Sequence, residues 1–204
     1  MIDEGYVKFD CTWTRGPAPE DIGELVSVRN RLHALGLVGQ YLPSRIGYGN
    51  VSQRLDGSGR FVISGTATGG IAMASAGHFC TVTDWEIAAN SVHCTGPVAA
   101  SSESLTHAML YACSPGIRSI LHVHHRGFWE KLLEYAPTTR GDVAYGTPAM
   151  ALEMERLLSE TAFAPLQIMA MRGHEEGIIA FGPDLASTME KLETEYFGKM
   201  SGGS

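Results

Sequence analysis

Apolar residues fall at helical spacing early in the chain. Ile22, Leu25, Val26 and Leu32 share one side of a helix predicted over residues 19–35, and Gly36 supplies the stop that ends it. The pattern then changes to a Gly-rich stretch, residues 46–70, broken by a short strand at Phe61–Ile63. His78–Thr83 and Ile87–Cys94 are β-rich runs set apart by Asp84, Trp85 and Glu86, which predicts a hairpin turning at those three residues. Ser101 or Ser102 then N-caps a helix to Cys113, with Leu105, Ala108, Met109 and Ala112 on one face, and Pro115-Gly116 ends it.

The second half continues the alternation. Arg118–His125 reads as a strand, Phe128–Tyr135 as a short helix, and Val143–Tyr145 as a strand or extended loop. Thr147 before Pro148 is an N-cap and N1 pair for a helix to about Ser159. Leu166–Met171 and Ile178–Phe181 are apolar strands joined through Arg172-Gly173-His174-Glu175-Glu176-Gly177, and Asp184 opens a last helix carrying Leu185, Met189, Leu192 and Tyr196. Interleaved helices and strands define a layered α/β fold, and the short connections point to a mixed or largely antiparallel sheet.

Composition narrows the function. The chain has 204 residues, a length that suits one domain over residues 1–204, with its core at about 19–197 and a flexible tail at 201–204. Lys and Arg number 15 against 22 Asp and Glu, a net charge of −7, which argues against nucleic-acid partners and means that an anionic substrate needs local capture. No apolar run reaches the roughly 18 residues of a membrane span, and Asp3, Glu4 and Lys8 leave no signal-peptide core, so the expected location is the cytoplasm, away from membranes. Cys11, Cys80, Cys94 and Cys113 show neither metal nor disulfide spacing and read as thiols filling the core.

The sharpest chemical feature is Leu121-His122-Val123-His124-His125. On a strand, His122 and His124 project from the same face, close enough to share one metal ion, whereas His125 points away. Two such histidines serve equally well as packed core residues. A third, His174, sits in a Gly-bounded turn between apolar strands, and three imidazoles with one open position are a catalytic zinc arrangement. Glu175 and Glu176 read as solvated loop charges, either of which can support a ligating imidazole from behind. Glu103 follows Ser101 and Ser102 into the first turn of a helix, where the dipole favours its ionised form. The serine amides and the Ser64-Gly65-Thr66 turn can accept a phosphate or carboxylate. Tyr145 is a candidate second proton donor, with a buried, hydrogen-bonded phenol as the alternative. His33, His78, His93 and His107 lack partner spacing and read as structural, and neither HExxH nor a nucleophile elbow occurs, which disfavours a zinc hydrolase.

Taken in order, Gly49-Asn50-Val51-Ser52, Ile63-Ser64-Gly65, Ser101-Ser102-Glu103, His122-Val123-His124 and His174 with Gly177 resemble the class II aldolase/adducin family of zinc-dependent sugar-phosphate aldolases. The resemblance runs from about Pro19 to Tyr196, and the separations match as well: 14 residues from Asn50 to Ser64 and 19 from Glu103 to His122. It implies a three-layer α/β/α fold around a mixed, mainly antiparallel sheet, and a Zn²⁺ site of His122, His124 and His174, with another divalent cation able to substitute. It further implies Glu103 as catalytic acid/base and Asn50, Ser64, Gly65, Ser101 and Ser102 as the pocket for a substrate phosphate or its equivalent. The implied partner is a small carbohydrate-like molecule, and the implied assembly is a homo-oligomer, a tetramer first.

The expected function is therefore a zinc-dependent lyase of aldolase type, working through a metal-stabilised enediolate. A dehydratase, epimerase or decarboxylase on the same scaffold, or a non-catalytic adducin-like interaction module, are the alternatives. Two departures from the family pattern bear on the substrate. The run Ser64–Gly70 replaces a proline-containing turn, and Glu175 stands after His174 where many members have glycine; the extra glycines suit a larger or unphosphorylated ligand.

Overall fold

The computed structural model describes residues 7–42 and 44–200, so the expected tail at 201–204 lies outside the described residues. Eight strands form one sheet in the spatial order β1 (Asp10–Arg15), β7 (Ser91–Gly96), β6 (Phe79–Glu86), β5 (Phe61–Ser64), β4 (Asn50–Arg54), β8 (Ser119–His124), β10 (Gly177–Gly182) and β9 (Ile168–Ala170). All pairings are antiparallel except β1 on β7, giving the mixed, mainly antiparallel sheet that the family resemblance implied. A separate two-stranded hairpin, β2 (Gly39–Tyr41) and β3 (Ile46–Tyr48), stands beside it.

Helices cover both faces. α1 (Gly23–Ala34), α3 (Arg126–Leu132) and α6 (Leu185–Met200) bury Leu25, Leu32, Phe128, Leu132, Leu185 and Leu192 against one side of the sheet. α2 (Ser104–Cys113), α4 (Pro148–Glu160) and α5 (Phe163–Leu166) bury Leu105, Leu110, Met150, Met154, Leu157 and Phe163 against the other. The strands alternate accordingly: Val62, Leu121, Val123 and Ile178 face the first layer, Phe61, Ile63, Ile120 and Ile179 the second. Each fully buried aliphatic or aromatic side chain contributes roughly 1.5–3 kcal/mol of transfer free energy, so this double-sided burial fixes strand register.

Local signals place the helix ends. Gly36 has φ 72 and closes α1, Thr147 Oγ1 accepts from Met150 N at 3.3 Å ahead of Pro148, and Asp184 Oδ1 accepts from Ser187 N at 2.7 Å at the start of α6. Several boundaries differ from the sequence reading. The β6–β7 turn lies at residues 87–90, not at Asp84–Glu86, because a bulge between Val82 and Asp84 restores pairing and Asn90, at φ 50, makes the reversal. Residue 166 ends α5 and the strand begins at Ile168, since Gln167 takes a left-handed conformation between them. Met109 is only part-buried and Ala112 is exposed on α2, where Leu110 and Tyr111 pack instead, and Cys113 is exposed rather than core. Strands β1 and β4 and the β2–β3 hairpin add to the sequence reading: β1 does carry a period of two, with Phe9, Cys11 and Trp13 alternating with Asp10, Thr12 and Thr14, whereas β2 and β3 are three residues each, too short to show one.

Candidate active site

Strand β8 decides where the chemistry lies. Leu121 and Val123 point into the α1/α3/α6 layer, so His122 and His124 point to the opposite side, that of Glu103 and α2. His174 arrives from the β9–β10 turn, which is closed by hydrogen bonds from His174 N to Met171 O (3.2 Å), Gly177 N to His174 O (2.9 Å) and Met171 N to Gly177 O (2.8 Å). The ring centroids of the three histidines are 4.9 Å (122–124), 5.1 Å (122–174) and 4.7 Å (124–174) apart. A Cβ on Gly177 would stand 3.3 Å from His122 Nε2 and 2.9 Å from His174 O, so a side chain there would press on the cluster.

The donor set fits a divalent cation. All three histidines are buried, and burial pushes their pKa values down, His174 to about 3, which keeps the imidazoles neutral and therefore able to ligate. One nitrogen from each ring lies within 4.8 Å of the others, and the Nε2 atoms of His122 and His124 are 3.2 Å apart. Two nitrogens held at about 2.0–2.1 Å from a tetrahedral zinc stand roughly 3.3 Å from each other, so the pair is already at chelating separation. The far sides of the rings are occupied. Asn50 Nδ2 lies 3.2 Å from His122 Nδ1, and the Tyr41 hydroxyl lies 3.1 Å from His124 Nδ1. Such contacts orient metal-binding rings in general.

Glu103 sits at the N-cap position of α2, not in its first turn, and its side chain makes no capping bond. Instead the carboxylate is buried, accepts from Thr106 Oγ1 at 2.9 Å, and places Oε1 3.8 Å from His174 Nδ1. Tyr145 lies in a turn rather than a strand, its ring stacked on His174 at 4.5 Å and 25°, with Lys8 Nζ 3.8 Å from its centroid. His107 is buried, its Nδ1 2.6 Å from Ser52 Oγ.

A cleft of about 280 Å³ opens over the histidines and is lined by Asn50, Gly65, Ser101, Ser102, Glu103, His122, His124, Tyr145 and His174 among others. Nine of the ten site residues expected from sequence thus meet in one place. Ser64 does not line the cleft, because its Oγ accepts from Val51 N at 3.1 Å and ties β5 to β4. Gly65 approaches the segment before Ser101 so closely that a Cβ would lie 2.3 Å from Val98 Cγ2, and Thr66 N donates to Ala99 O at 3.0 Å.

Three contributors were not read from the sequence. The β2–β3 hairpin supplies Ser44 to Tyr48 as one wall of the cleft. Arg29 of α1, buried, donates to the carbonyls of Ile71, Thr68 (2.7 Å) and Gly69 (3.0 Å), clamping the Gly-rich loop that forms another wall. Asn30 next to it brackets Ala74 through both its N–H and its C=O, at 2.8 and 3.1 Å. A hint lay only in a charged residue on the apolar side of α1, which sequence alone assigns to solvent.

The family model described as Class II Aldolase and Adducin N-terminal domain matches residues 24–195, and this chain belongs to that family. No curated protein matches it in sequence. Among solved structures, the fold is shared with an L-fuculose-1-phosphate aldolase from Thermus thermophilus, at TM-score 0.60 and 20% identity over 88% of this chain and 94% of that one. It is shared as well with a sugar-phosphate aldolase from Thermotoga maritima (TM-score 0.61, 16% identity, 89% and 95% covered). A third is YgbL from Escherichia coli, described as a putative aldolase/epimerase/decarboxylase (TM-score 0.62, 16% identity, 87% and 86% covered). Among the described residues, no helix is long and apolar enough to cross a membrane.

Proposed function

We propose that this chain is a zinc-dependent carbon–carbon lyase of aldolase type, acting on a small sugar or sugar-phosphate-like substrate. The observation that carries the reading is the convergence of three neutral, buried imidazoles beside one buried carboxylate. His122, His124 and His174 would hold the metal, which when bound acts as a Lewis acid on a substrate oxygen and stabilises enediolate charge. Glu103 holds and moves the proton, since its Oε1 faces the cluster while Oε2 is anchored by Thr106. Tyr145, stacked on His174, presents a second proton donor to the cleft. Asn50, Gly65, Ser101 and Ser102 line the place where an anionic or hydroxylated end of the substrate is received, with Ser64 shaping the turn from behind.

The same groups serve a dehydratase, an epimerase or a decarboxylase, because each stabilises the same kind of anion. Retention of all three histidines and Glu103 speaks against an adducin-like interaction module. Assembly as a cytoplasmic homotetramer belongs to the same proposal and is checked by light scattering. The deciding experiment is product identification with zinc-loaded protein on phosphorylated and free ketoses and aldehydes. Aldol cleavage of either set supports the lyase. Epimerised, dehydrated or decarboxylated products move the assignment within the scaffold, and absence of bound metal after loading removes it.

A further inference from the structure

Tyr41 links the β2–β3 hairpin to the imidazole cluster. Its hydroxyl lies 3.1 Å from His124 Nδ1 and donates to Glu176 Oε2 at 2.8 Å. The other oxygen of Glu176 accepts from Arg126 Nε at 3.1 Å, and a further nitrogen of Arg126 donates to Glu175 Oε1 at 2.7 Å. The chemistry of these groups fixes the direction of the chain. A phenol has one proton, and here a carboxylate takes its hydrogen bond, so the phenol oxygen meets His124 Nδ1 as an acceptor. Nδ1 then carries the ring hydrogen, and the Nε2 lone pair points toward His122 Nε2, 3.2 Å away. Glu176 itself sits at φ 69 in the β9–β10 turn, so the carboxylate that meets Tyr41 is carried by the same turn as His174.

We infer that Tyr41 is a positioning residue: it holds His124 in the tautomer that ligates through Nε2, and it couples metal occupancy to docking of the hairpin that walls the cleft. The inference rests on the proposed reading only in taking His124 as a metal ligand. Coupling between two events is reciprocal, so whatever factor the docked hairpin adds to metal affinity, bound metal adds to hairpin docking. Outer partners of ligating histidines are typically worth about 10- to 100-fold in metal affinity.

The test uses Tyr41→Phe, which removes one oxygen, with Glu176→Gln as the second variant. Zinc affinity is measured by competition with a chromophoric chelator, and hairpin docking by the rate of tryptic cleavage after Arg45, an exposed residue between β2 and β3. In the wild-type protein zinc should slow that cleavage. Tyr41→Phe should bind zinc about 10- to 100-fold more weakly and lose the zinc-dependent protection, with metal-free thermal unfolding unchanged. The double variant should fall no further than Tyr41→Phe, because the two groups act in series. Wild-type affinity and protection in Tyr41→Phe overturn the inference while leaving the lyase reading intact. If Tyr41→Phe fails to fold, the same two measurements on Glu176→Gln decide, and unchanged values there overturn it equally. A wild-type protein that binds no zinc removes both.

Discussion

Asn50 on β4 stands directly opposite His122 on β8, and the amide nitrogen of one lies 3.2 Å from Nδ1 of the other. Strand register alone creates this contact, since residues facing each other across an antiparallel pair put their side chains on the same side. The amide can offer its N–H₂ or, turned over, its oxygen, and the second arrangement leaves His122 Nε2 as a lone pair toward the cluster.

Asn50→Ala is therefore expected to weaken zinc binding by about 10-fold or more, in addition to any effect on KM. A rise in KM with unaltered metal affinity would show that Asn50 serves the substrate alone. Chelator competition and steady-state kinetics on one preparation separate the two.

Glu103→Gln keeps the shape of the side chain and its reach to Thr106 but removes the proposed base. Turnover should fall by roughly 10²- to 10⁴-fold with zinc retained, whereas His174→Ala should lose both zinc and activity. Tyr145→Phe preserves the ring stacked on His174, so it should reduce turnover without releasing metal. Full turnover in Glu103→Gln, measured with zinc content, would reject the assigned base.

Arg29 is buried and satisfies three backbone carbonyls of the loop at residues 68–71. Arg29→Met leaves those acceptors without the guanidinium, each costing about 1–3 kcal/mol if it stays dry. A net loss of about 2–4 kcal/mol in urea unfolding is expected after relaxation, with a rise in KM because the loop walls the cleft. Stability within error of wild type would mean that the loop does not depend on the clamp.

The buried histidines make stability depend on pH in a definite direction. Folding lowers the pKa values of His107, His122 and His124 well below 6.5 and that of His174 to about 3, in each case chiefly through burial. The unfolded chain takes up protons near 6.5 that the folded chain refuses. This contribution is fully present above that value and is lost as pH falls below it. Between pH 7 and 5 the guanidinium midpoint of metal-free protein should drop steadily. Glu153, whose pKa Arg156 holds below 4.5, titrates under that window, so a flat profile would contradict neutral burial of the histidines.

Helix ends and most of the core strands were legible because their signals are local. Gly36, Thr147-Pro148 and Asp184 act within a turn of where they stand. The alternation that puts His122 and His124 on one face needs only that β8 be a strand. Misreadings arose where pairing overrode propensity: the bulge at Val82/Asp84 carried β6 past three residues that look like a turn. Arg29 was invisible because a buried guanidinium depends on carbonyls 39 to 42 residues away.

Residues near one another, or in fixed order along the chain, suffice to set the alternation of helices and strands, the same-face histidine pair, and the ordered set of motifs that marks the family. Three-dimensional packing brings His174 to within 4.8 Å of the pair, turns Glu103 from its helix toward the cluster, and carries Tyr41 to His124 across 83 residues. Those distances follow from how two helical layers and a hairpin pack on one sheet, and packing of distant segments leaves no periodic trace in a single chain.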